Sequence, residues 1–455
     1  MPSTIAACSS GSMPCAIAIL RLSGPEALSI ADRVFFPAKG ASLSGGRPRA
    51  MRYGRLTAKD GALLDLCLAA YFPAESSYTG EDLVEFYPHG SQAVAAALLE
   101  HCYALGAVPA PPGEYTRRAF LAGRLDLTEA EAVADLIHAQ SELGAKAAAA
   151  QLSGSVGSRI RAVREDVLAL LAHFYAVCDY TDEDLAPFDY ENACGVLKSA
   201  VTRLDALYQG FQRGRLVREG VPVAIIGRPN SGKSTLFNAL AGAERAIVTD
   251  EAGTTRDVLE QVISCGGAPI RILDTAGLRE SDSKAERIGV ERAKEAAKQA
   301  AAVVCVIDGS APLSDEDREA LALAAQSPCS ALVVNKADLF GESPLSAEAI
   351  LGEYPLSAAF TLSAVSGQVE TLSAWLAKLA PAPQEVLVTS ARQARLLEQA
   401  AGDLRCALES AECGMTADAF LSDAERAVNT LGQITGETAS ADLAHEIFGR
   451  FCVGK

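Results

Sequence analysis

No run in the 455 residues approaches the roughly 18 to 20 consecutive apolar positions that a membrane-spanning helix needs. The apolar stretch Cys15-Ala16-Ile17-Ala18-Ile19-Leu20 is short and has no basic segment before it, which argues against a secretory signal. A cytoplasmic protein with no membrane partner is expected. The twelve cysteines contain no C-x-x-C pair, so neither a zinc ribbon nor a thioredoxin-type motif is indicated. In a reducing compartment a disulfide framework would be out of place, and most cysteines read as small core residues. None of the five histidines has a partner pattern that would support a metal or triad role. There is no repeat of fixed period, and no low-complexity tract beyond the alanines at 147–150. Positive charge is scarce: the net charge of -17 argues against coating nucleic acid by bulk electrostatics. Local basic clusters remain at Arg117, Arg118 and Arg124, at Arg159, Arg161 and Arg164, and at Arg213, Arg215 and Arg218. Each fits a solvated helix face equally well.

Hydrophobic residues make up 49% and charged residues 21%, the balance of a folded globular chain rather than a disordered one. At roughly 150 residues per domain the length suits about three domains. Up to about residue 120, short apolar runs (16–22, 66–72, 83–87) alternate with turn-rich stretches (42–48, 109–113), which reads as an α+β domain. From Thr128 the pattern turns helical, with Thr128 and Glu131 in T-x-x-E capping-box spacing. Between 219 and 380, β-type runs (221–226, 270–273, 303–307, 331–334, 360–362) alternate with helical stretches, the signature of a parallel sheet covered by helices. Pro381 and Pro383 punctuate its end, and helical patterning resumes from Ala391. The domains expected are therefore 1–120, a helical domain from 121–218 and 381–455, and an α/β domain at 219–380 inserted into it.

The run 221–226 leads into Gly227-Arg228-Pro229-Asn230-Ser231-Gly232-Lys233-Ser234, which matches G-x-x-x-x-G-K-[ST] in the strand-to-helix context this phosphate loop requires. Gly227 and Gly232 let backbone N–H groups wrap phosphates, the helix N-terminus adds its positive dipole end, Lys233 neutralises the outer phosphates and Ser234 suits Mg2+. Asn335-Lys336-Ala337-Asp338 follows the run 331–334, where an N-K-x-D aspartate accepts two hydrogen bonds from guanine; adenine offers no such donor pair. Ser363 and Ala364 are placed for a backbone contact to the guanine oxygen. Asp274-Thr275-Ala276-Gly277 supplies a carboxylate near Mg2+ and a γ-phosphate-sensing glycine, and Thr254 and Thr255 of Gly253-Thr254-Thr255-Arg256-Asp257 lie where a threonine closes on Mg2+. Five motifs in this order imply a GTPase. The glutamine that orients water in Ras-like enzymes is replaced by Leu278, so another group must position the nucleophile. Glu286 is the nearest carboxylate of interest.

The chain resembles the MnmE (TrmE) family of tRNA-modification GTPases over its whole length. The matching stretches include Ser77-Tyr78-Thr79-Gly80-Glu81-Asp82, Pro112-Gly113-Glu114-Tyr115-Thr116-Arg117-Arg118-Ala119-Phe120-Leu121, Leu125-Asp126-Leu127 and the ending Phe451-Cys452-Val453-Gly454-Lys455. The resemblance implies a P-loop GTPase domain inserted in an all-helical domain, preceded by an α+β domain that binds a tetrahydrofolate and forms a homodimer. It implies folate contacts from Arg21, Glu85, Arg124 and Lys455. Arg124 stands where many members have lysine, and Ser9 to Ala16 replaces a usual Pro-Pro-Gly-Arg-Gly-Gly stretch.

In the G domain the resemblance implies K+ held by Asn230, by loop carbonyls matching Thr249 and Glu251, and by Thr254; it implies that Glu286 orients water. Ser231, Thr235 and Thr249 join the implied GTP contacts, and Ser234 and Thr255 the Mg2+ ligands. A cation beside the bridging oxygen stabilises the charge that an arginine finger otherwise would. Cys452 reads two ways, as a nucleophile or acid in the folate pocket or as a packing residue. The implied function is GTP-driven work with the FAD-dependent protein MnmG, in a heterotetramer. Together they would install an aminomethyl or carboxymethylaminomethyl group at carbon 5 of the wobble uridine of certain tRNAs, with methylene-tetrahydrofolate as donor. A ribosome-assembly GTPase would leave the first third unexplained; a stand-alone folate aminomethyltransferase would leave the G domain unexplained.

Overall fold

The computed structural model of the chain describes residues 3–11, 13–179, 188–243, 260–273, 286–340, 345–381, 388–413, 415, 417–438, 441–449 and 451–454. Two compact units make it up: Met1–Ala134 with Gly157–Leu168 and Glu425–Lys455, and Asp135–Val156 with Ala169–Ala424.

In the first unit the strands are β1 (Ile5–Cys8), β2 (Cys15–Ile17), β3 (Leu20–Ser23), β4 (Phe35–Pro37), β5 (Arg52–Thr57), β6 (Leu63–Phe72), β7 (Leu83–Tyr87), β8 (His89–Gly90) and β9 (Val108–Pro109). Seven of them form one sheet in the order β4-β5-β6-β7-β3-β1-β9, antiparallel except for β1 and β9. The run 16–22 is not one strand: β2 pairs with β8 in a separate sheet, because the Ala18 N–H donates to the Pro88 carbonyl (2.9 Å) and turns the chain before β3. Period-two alternation gives the large sheet two faces. Ala6, Leu20, Leu22, Ala69, Val84 and Phe86 pack with the helices Ala27–Val34 and Gln92–Ala104, whose buried positions recur at helical spacing (Ala27, Ile30, Ala31, Val34). On the opposite face Ile5 and Ala7 meet Ala110 and the fully buried Tyr115.

The helix Leu127–Ile137 starts earlier than its T-x-x-E spacing suggests. Its capping box is Asp126 with Glu129: the Glu129 N–H donates to Asp126 Oδ1 (2.8 Å) and the Asp126 N–H to Glu129 Oε2 (2.7 Å). Asp126 outcompetes Thr128 because it also takes the Thr128 hydroxyl (2.6 Å) and Arg161 (2.6 Å). The helix Ala441–Phe448 brings Phe448 and Phe451 onto Leu127, Ala130 and Phe120. Gly113, at φ 70°, lets the backbones touch there: a Cβ would lie 2.3 Å from the Phe448 carbonyl oxygen.

In the second unit, helices Tyr190–Glu219 and Ala391–Glu412 pack along each other, burying Leu197, Ala200, Leu204 and Leu207 on one and Leu397, Ala400, Leu404 and Ala407 on the other. A polar node joins their ends. Thr389 Oγ1 lies 2.8 Å from Asp135 Oδ2 and 3.0 Å from Gln151 Oε1, while Arg218 Nε lies 3.3 Å from Asp135 Oδ1. The remaining strands, β10 (Val221–Ile226), β11 (Glu260–Cys265), β12 (Ala268–Leu273), β13 (Ala302–Asp308), β14 (Ser330–Asn335) and β15 (Ala358–Thr361), form a six-stranded sheet in the order β11-β12-β10-β13-β14-β15. Five strands are parallel and β11 is antiparallel to β12. The parallel sheet expected from the sequence is present, with one antiparallel strand added at this edge. The strand β11 is only half buried, so Gln261 and Ser264 interrupt the apolar signal, and Gly266 and Gly267, both at positive φ, close a tight hairpin.

The basic clusters are largely engaged by carboxylates of the same chain, some of them at the surface. Arg118 is buried between Glu81 (2.7 Å) and Glu114 (3.1 Å), Arg161 pairs with Asp126, Arg164 with Glu437, Arg215 with Glu219 and Arg218 with Asp135. No disulfide joins the described cysteines; Cys67, Cys102, Cys265 and Cys305 are buried as expected, but Cys15, Cys178, Cys406, Cys413 and Cys452 are exposed. Among the described residues no helix is long and apolar enough to cross a membrane, and no group of His, Cys, Asp and Glu could hold a metal ion.

Candidate functional site

The strand β10 is buried along almost its whole length and delivers the chain to the loop 227–232, after which the helix Lys233–Ala243 begins. Three backbone positions in the loop have positive φ: Gly227 (146°), Asn230 (62°) and Gly232 (96°). Both glycines are required by space as well as conformation. A Cβ at Gly227 would lie 2.1 Å from the Val306 carbonyl oxygen, and one at Gly232 would lie 2.1 Å from Asn335 Nδ2. Lys233 folds back over the loop, its Nζ donating to the carbonyls of Gly227 and Arg228 (2.9 Å each), and burial lowers its pKa below the ordinary ammonium value. Ser231 Oγ is buried without a hydrogen-bond partner among the described residues. A loop with a helix N-terminus, a half-buried cation and an unused buried hydroxyl suits a phosphate chain.

The loops after β14 and β15 meet this one. Asn335, buried at the end of β14, donates from Nδ2 to the Ser231 carbonyl (3.0 Å) and accepts the Ala364 N–H at Oδ1 (3.1 Å). Ser363 donates its hydroxyl to Asp338 Oδ1 (2.5 Å) and accepts the Ser366 N–H (3.3 Å). Asp338 itself is exposed at the rim of the three loops. Lys336, in the left-handed region at φ 64°, pairs with Asp308 (2.7 Å). Burial pushes the Asp308 carboxyl up, but the hydrogen bonds from Lys336 and Ser310 outweigh it and hold its pKa at about 2. Asp308, Asp317 and Arg228 were not singled out from the sequence. The one signal for Asp308 was its place directly after the apolar run 303–307.

The structure thus brings together Gly227, Asn230, Ser231, Gly232, Lys233, Ser234, Thr235, Asn335, Lys336, Asp338, Ser363 and Ala364 around three loops and one helix start. Thr249, Glu251, Thr254, Thr255, Asp274, Gly277 and Leu278 lie outside the described residues. Glu286 heads the helix Glu286–Gln299, and its side chain lies outside the description.

Residues 4–124 match the family described as GTP-binding protein TrmE N-terminus, and residues 127–452 match the MnmE helical domain. The chain belongs to the MnmE family of tRNA modification GTPases. The MnmE relative from a Roseiflexus species is 40% identical, with 96% of each chain covered, and that from Symbiobacterium thermophilum is 40% identical with 99% of each covered. Both are named tRNA modification GTPase MnmE. Among solved structures, Era of Aquifex aeolicus is 26% identical over 40% of this chain and 65% of its own, at a TM-score of 0.27. The G domain of the T. maritima FeoB iron transporter is 24% identical over 35% of this chain and 99% of its own, also at 0.27. Scores that low carry no argument, and the fold assignment rests on the family match and on the sheet order.

In the TrmE-type N-terminal region, Arg21 and Glu85 stand directly opposite on β3 and β7 and form an ion pair of 2.7 Å. Tyr87 donates its hydroxyl to the other Glu85 oxygen, and Tyr115 donates to the Arg21 carbonyl (2.9 Å). Arg124 is turned to the loop after β6, donating to the carbonyls of Ala74 (2.8 Å) and Glu75 (2.6 Å). At the other strand end the Gly454 carbonyl accepts the Ser9 hydroxyl (2.8 Å), one residue beyond Cys8, which pairs with Leu20. Cys452 is exposed, its carbonyl accepting the Gly113 N–H (3.4 Å), and Lys455 lies outside the described residues. Arg21 and Glu85 are joined; Arg124 and Gly454 flank them at opposite ends of the strands.

The guanine reading of Asp338 makes a direct prediction. A site that offers a carboxylate to two guanine donors rejects the wrong partner by roughly 10⁴-fold, so Asp338→Asn is expected to lose GTP affinity and gain affinity for xanthine nucleotides. Competition binding with GTP and XTP measures this, and unchanged GTP affinity would refute the assignment.

Proposed function

We propose that this protein hydrolyses GTP in a cycle that, with the FAD-dependent protein MnmG, modifies carbon 5 of the wobble uridine of certain tRNAs in the cytoplasm. The group added is aminomethyl or carboxymethylaminomethyl, and a methylene-tetrahydrofolate is the one-carbon donor. The observation that carries this reading is the presence in one chain of the joined phosphate and base loops and of a TrmE-type domain with the Arg21–Glu85 pair on its sheet. The naming of its relatives as tRNA modification GTPases supports the RNA substrate. Domains at 1–120, at 121–218 with 381–455, and at 219–380 would serve folate binding, support and GTP hydrolysis.

In this reading the loop Gly227–Ser234 would bind the phosphates through its N–H groups and Lys233, and Ser234 and Thr255 would hold Mg2+. Asn230 with the Thr249 and Glu251 carbonyls and Thr254 would hold K+, which supplies positive charge where it develops in the transition state. The left-handed Asn230 suits such a role, since its side chain leaves the loop at a forced angle. Glu286 orients the water. Arg21, Glu85, Arg124 and Lys455 take the folate, whose pterin ring and glutamate tail call for both a carboxylate and cations; Cys452 is a candidate acid or nucleophile beside it.

A homodimer has physical support in the first unit. Phe36, Tyr53, Leu66 and Leu68 are exposed on one face of β4, β5 and β6, and Arg55 stacks on Phe36 among them at 5.2 Å. A sheet face this apolar and next to an intact core is suited to a second copy of itself.

Four outcomes are expected. Glu286→Ala should lower kcat by at least about 10²-fold with nucleotide affinity nearly unchanged, because a water-positioning carboxylate acts mainly in the transition state. The same variant should fail to support the wobble modification, read by mass spectrometry of tRNA nucleosides from cells carrying it. Turnover should be faster in K+ than in Na+ at equal ionic strength; equal rates would remove the cation. Tyr53→Glu with Leu66→Glu should convert the dimer to a monomer in light scattering, and a mass unchanged from the wild type would discard this face as the interface.

A further inference from the structure

Arg228, directly after Gly227 in the phosphate loop, has no part in the reading above, yet two carboxylates engage it. Its Nε lies 3.1 Å from Asp317 Oδ2 and its Nη2 lies 3.6 Å from Asp308 Oδ2. Asp308, the last residue of β13, also takes Lys336 Nζ at 2.7 Å and the N–H and hydroxyl of Ser310 at 3.0 and 2.6 Å. Asp317 is buried and takes the N–H (3.1 Å) and hydroxyl (2.8 Å) of Ser314 at the start of the helix Asp315–Ala324. A continuous set of charges therefore runs from the phosphate loop, across the end of β13, to the base loop.

We propose that Arg228 and Asp308 are positioning residues for guanine-nucleotide binding: the Arg228–Asp308–Lys336 chain holds the phosphate loop and the base loop at the separation that one nucleotide spans. The proposal rests on the GTP reading of this site. Three physical points carry it. A nucleotide touches both loops at once, so an error in their spacing is felt at one end or the other. Lys336 sits at a φ that a non-glycine residue seldom adopts, and its ammonium is directed to Asp308 from there. Asp317, buried, would be left without its countercharge if Arg228 moved, so opposite charge holds the guanidinium there, although its Nε makes no hydrogen bond among the described residues, and its Nη2 faces Asp308. Asn335 makes a neutral bridge between the same two loops; the charged chain is a second one, at their rim.

The test uses the full-length protein and its affinity for GDP and GTP. Asp308→Asn carries it, because it keeps the Arg228–Asp317 pair and so does not leave a buried carboxylate unpaired, as Arg228→Ala does. Residues in one ion-pair network are typically coupled strongly enough to shift binding by roughly five- to twenty-fold. Asp308→Asn is therefore expected to weaken GDP and GTP alike by about that factor, to raise KM for GTP in parallel and to lower kcat by less. The double variant with Arg228→Ala should bind no more weakly than the weaker single one. Wild-type affinity in Asp308→Asn, a loss confined to kcat, or losses that multiply in the double variant would each overturn the proposal. Failure of the wild-type protein to bind either nucleotide would instead overturn the GTP reading beneath it.

Discussion

The side chain of Asn335 is the contact on which the candidate nucleotide site depends. Its amide reaches the Ser231 carbonyl from one side and the Ala364 N–H from the other, so three loops that are distant in sequence are held to one another by one buried group. An unmade bond to a buried backbone group costs about 1–3 kcal/mol, which makes each loop's position conditional on the others. The constraint also reaches back into composition. Asn335 approaches so closely that Gly232 has no room for a Cβ, and the left-handed φ there reinforces the same choice. What reads in the sequence as a glycine needed for phosphate binding is, in the fold, equally a glycine needed to admit an asparagine from β14.

The sheet behind these loops is rigid for a simple reason. All residues of β14, and all of β13 but Asp308, are buried, and parallel neighbours on both sides satisfy their backbone groups. The helices that frame the second unit are tied close to the point where the chain enters β10. Arg218 and Thr389, which precede the strand and the helix Ala391–Glu412 respectively, meet at Asp135 and Gln151. Both crossings between helical and α/β segments thus converge on one polar cluster, an arrangement that fixes orientation more than it adds stability.

In the first unit the physics is that of a sheet with unequal faces. One face is filled by two helices. The other is divided: its centre carries the Arg21–Glu85 pair beneath Tyr115, and its β4–β6 end leaves aromatic and aliphatic side chains in solvent. A paired Arg and Glu half-buried on a sheet retain unused donor and acceptor capacity, and this separates them from Arg118. The two carboxylates and two carbonyls around Arg118 leave it little beyond holding the loop 77–82 to the helix Glu114–Leu121.

The sequence by itself made the phosphate loop legible, because glycine and lysine at these spacings are local demands: a strand, a tight loop and a helix start lie within fifteen residues. It also determined that β10, β12, β13 and β14 exist, since these inner strands read as mainly apolar runs; β15, at the far edge of the sheet, was legible from the short run at 360–362. It did not reveal β11, whose half-exposed edge position mixes polar residues into the run, nor the true helix start at Asp126, which Arg161 from a distant helix helps to select. Tertiary structure alone decided that Arg118 meets Glu81 and Arg161 meets Asp126, that five cysteines face solvent, and that Arg228 and Lys336 share Asp308. Each of these depends on which side chain comes within about 3 to 4 Å of which other, and that is set by packing between segments far apart in the chain, where spacing along the sequence holds no information.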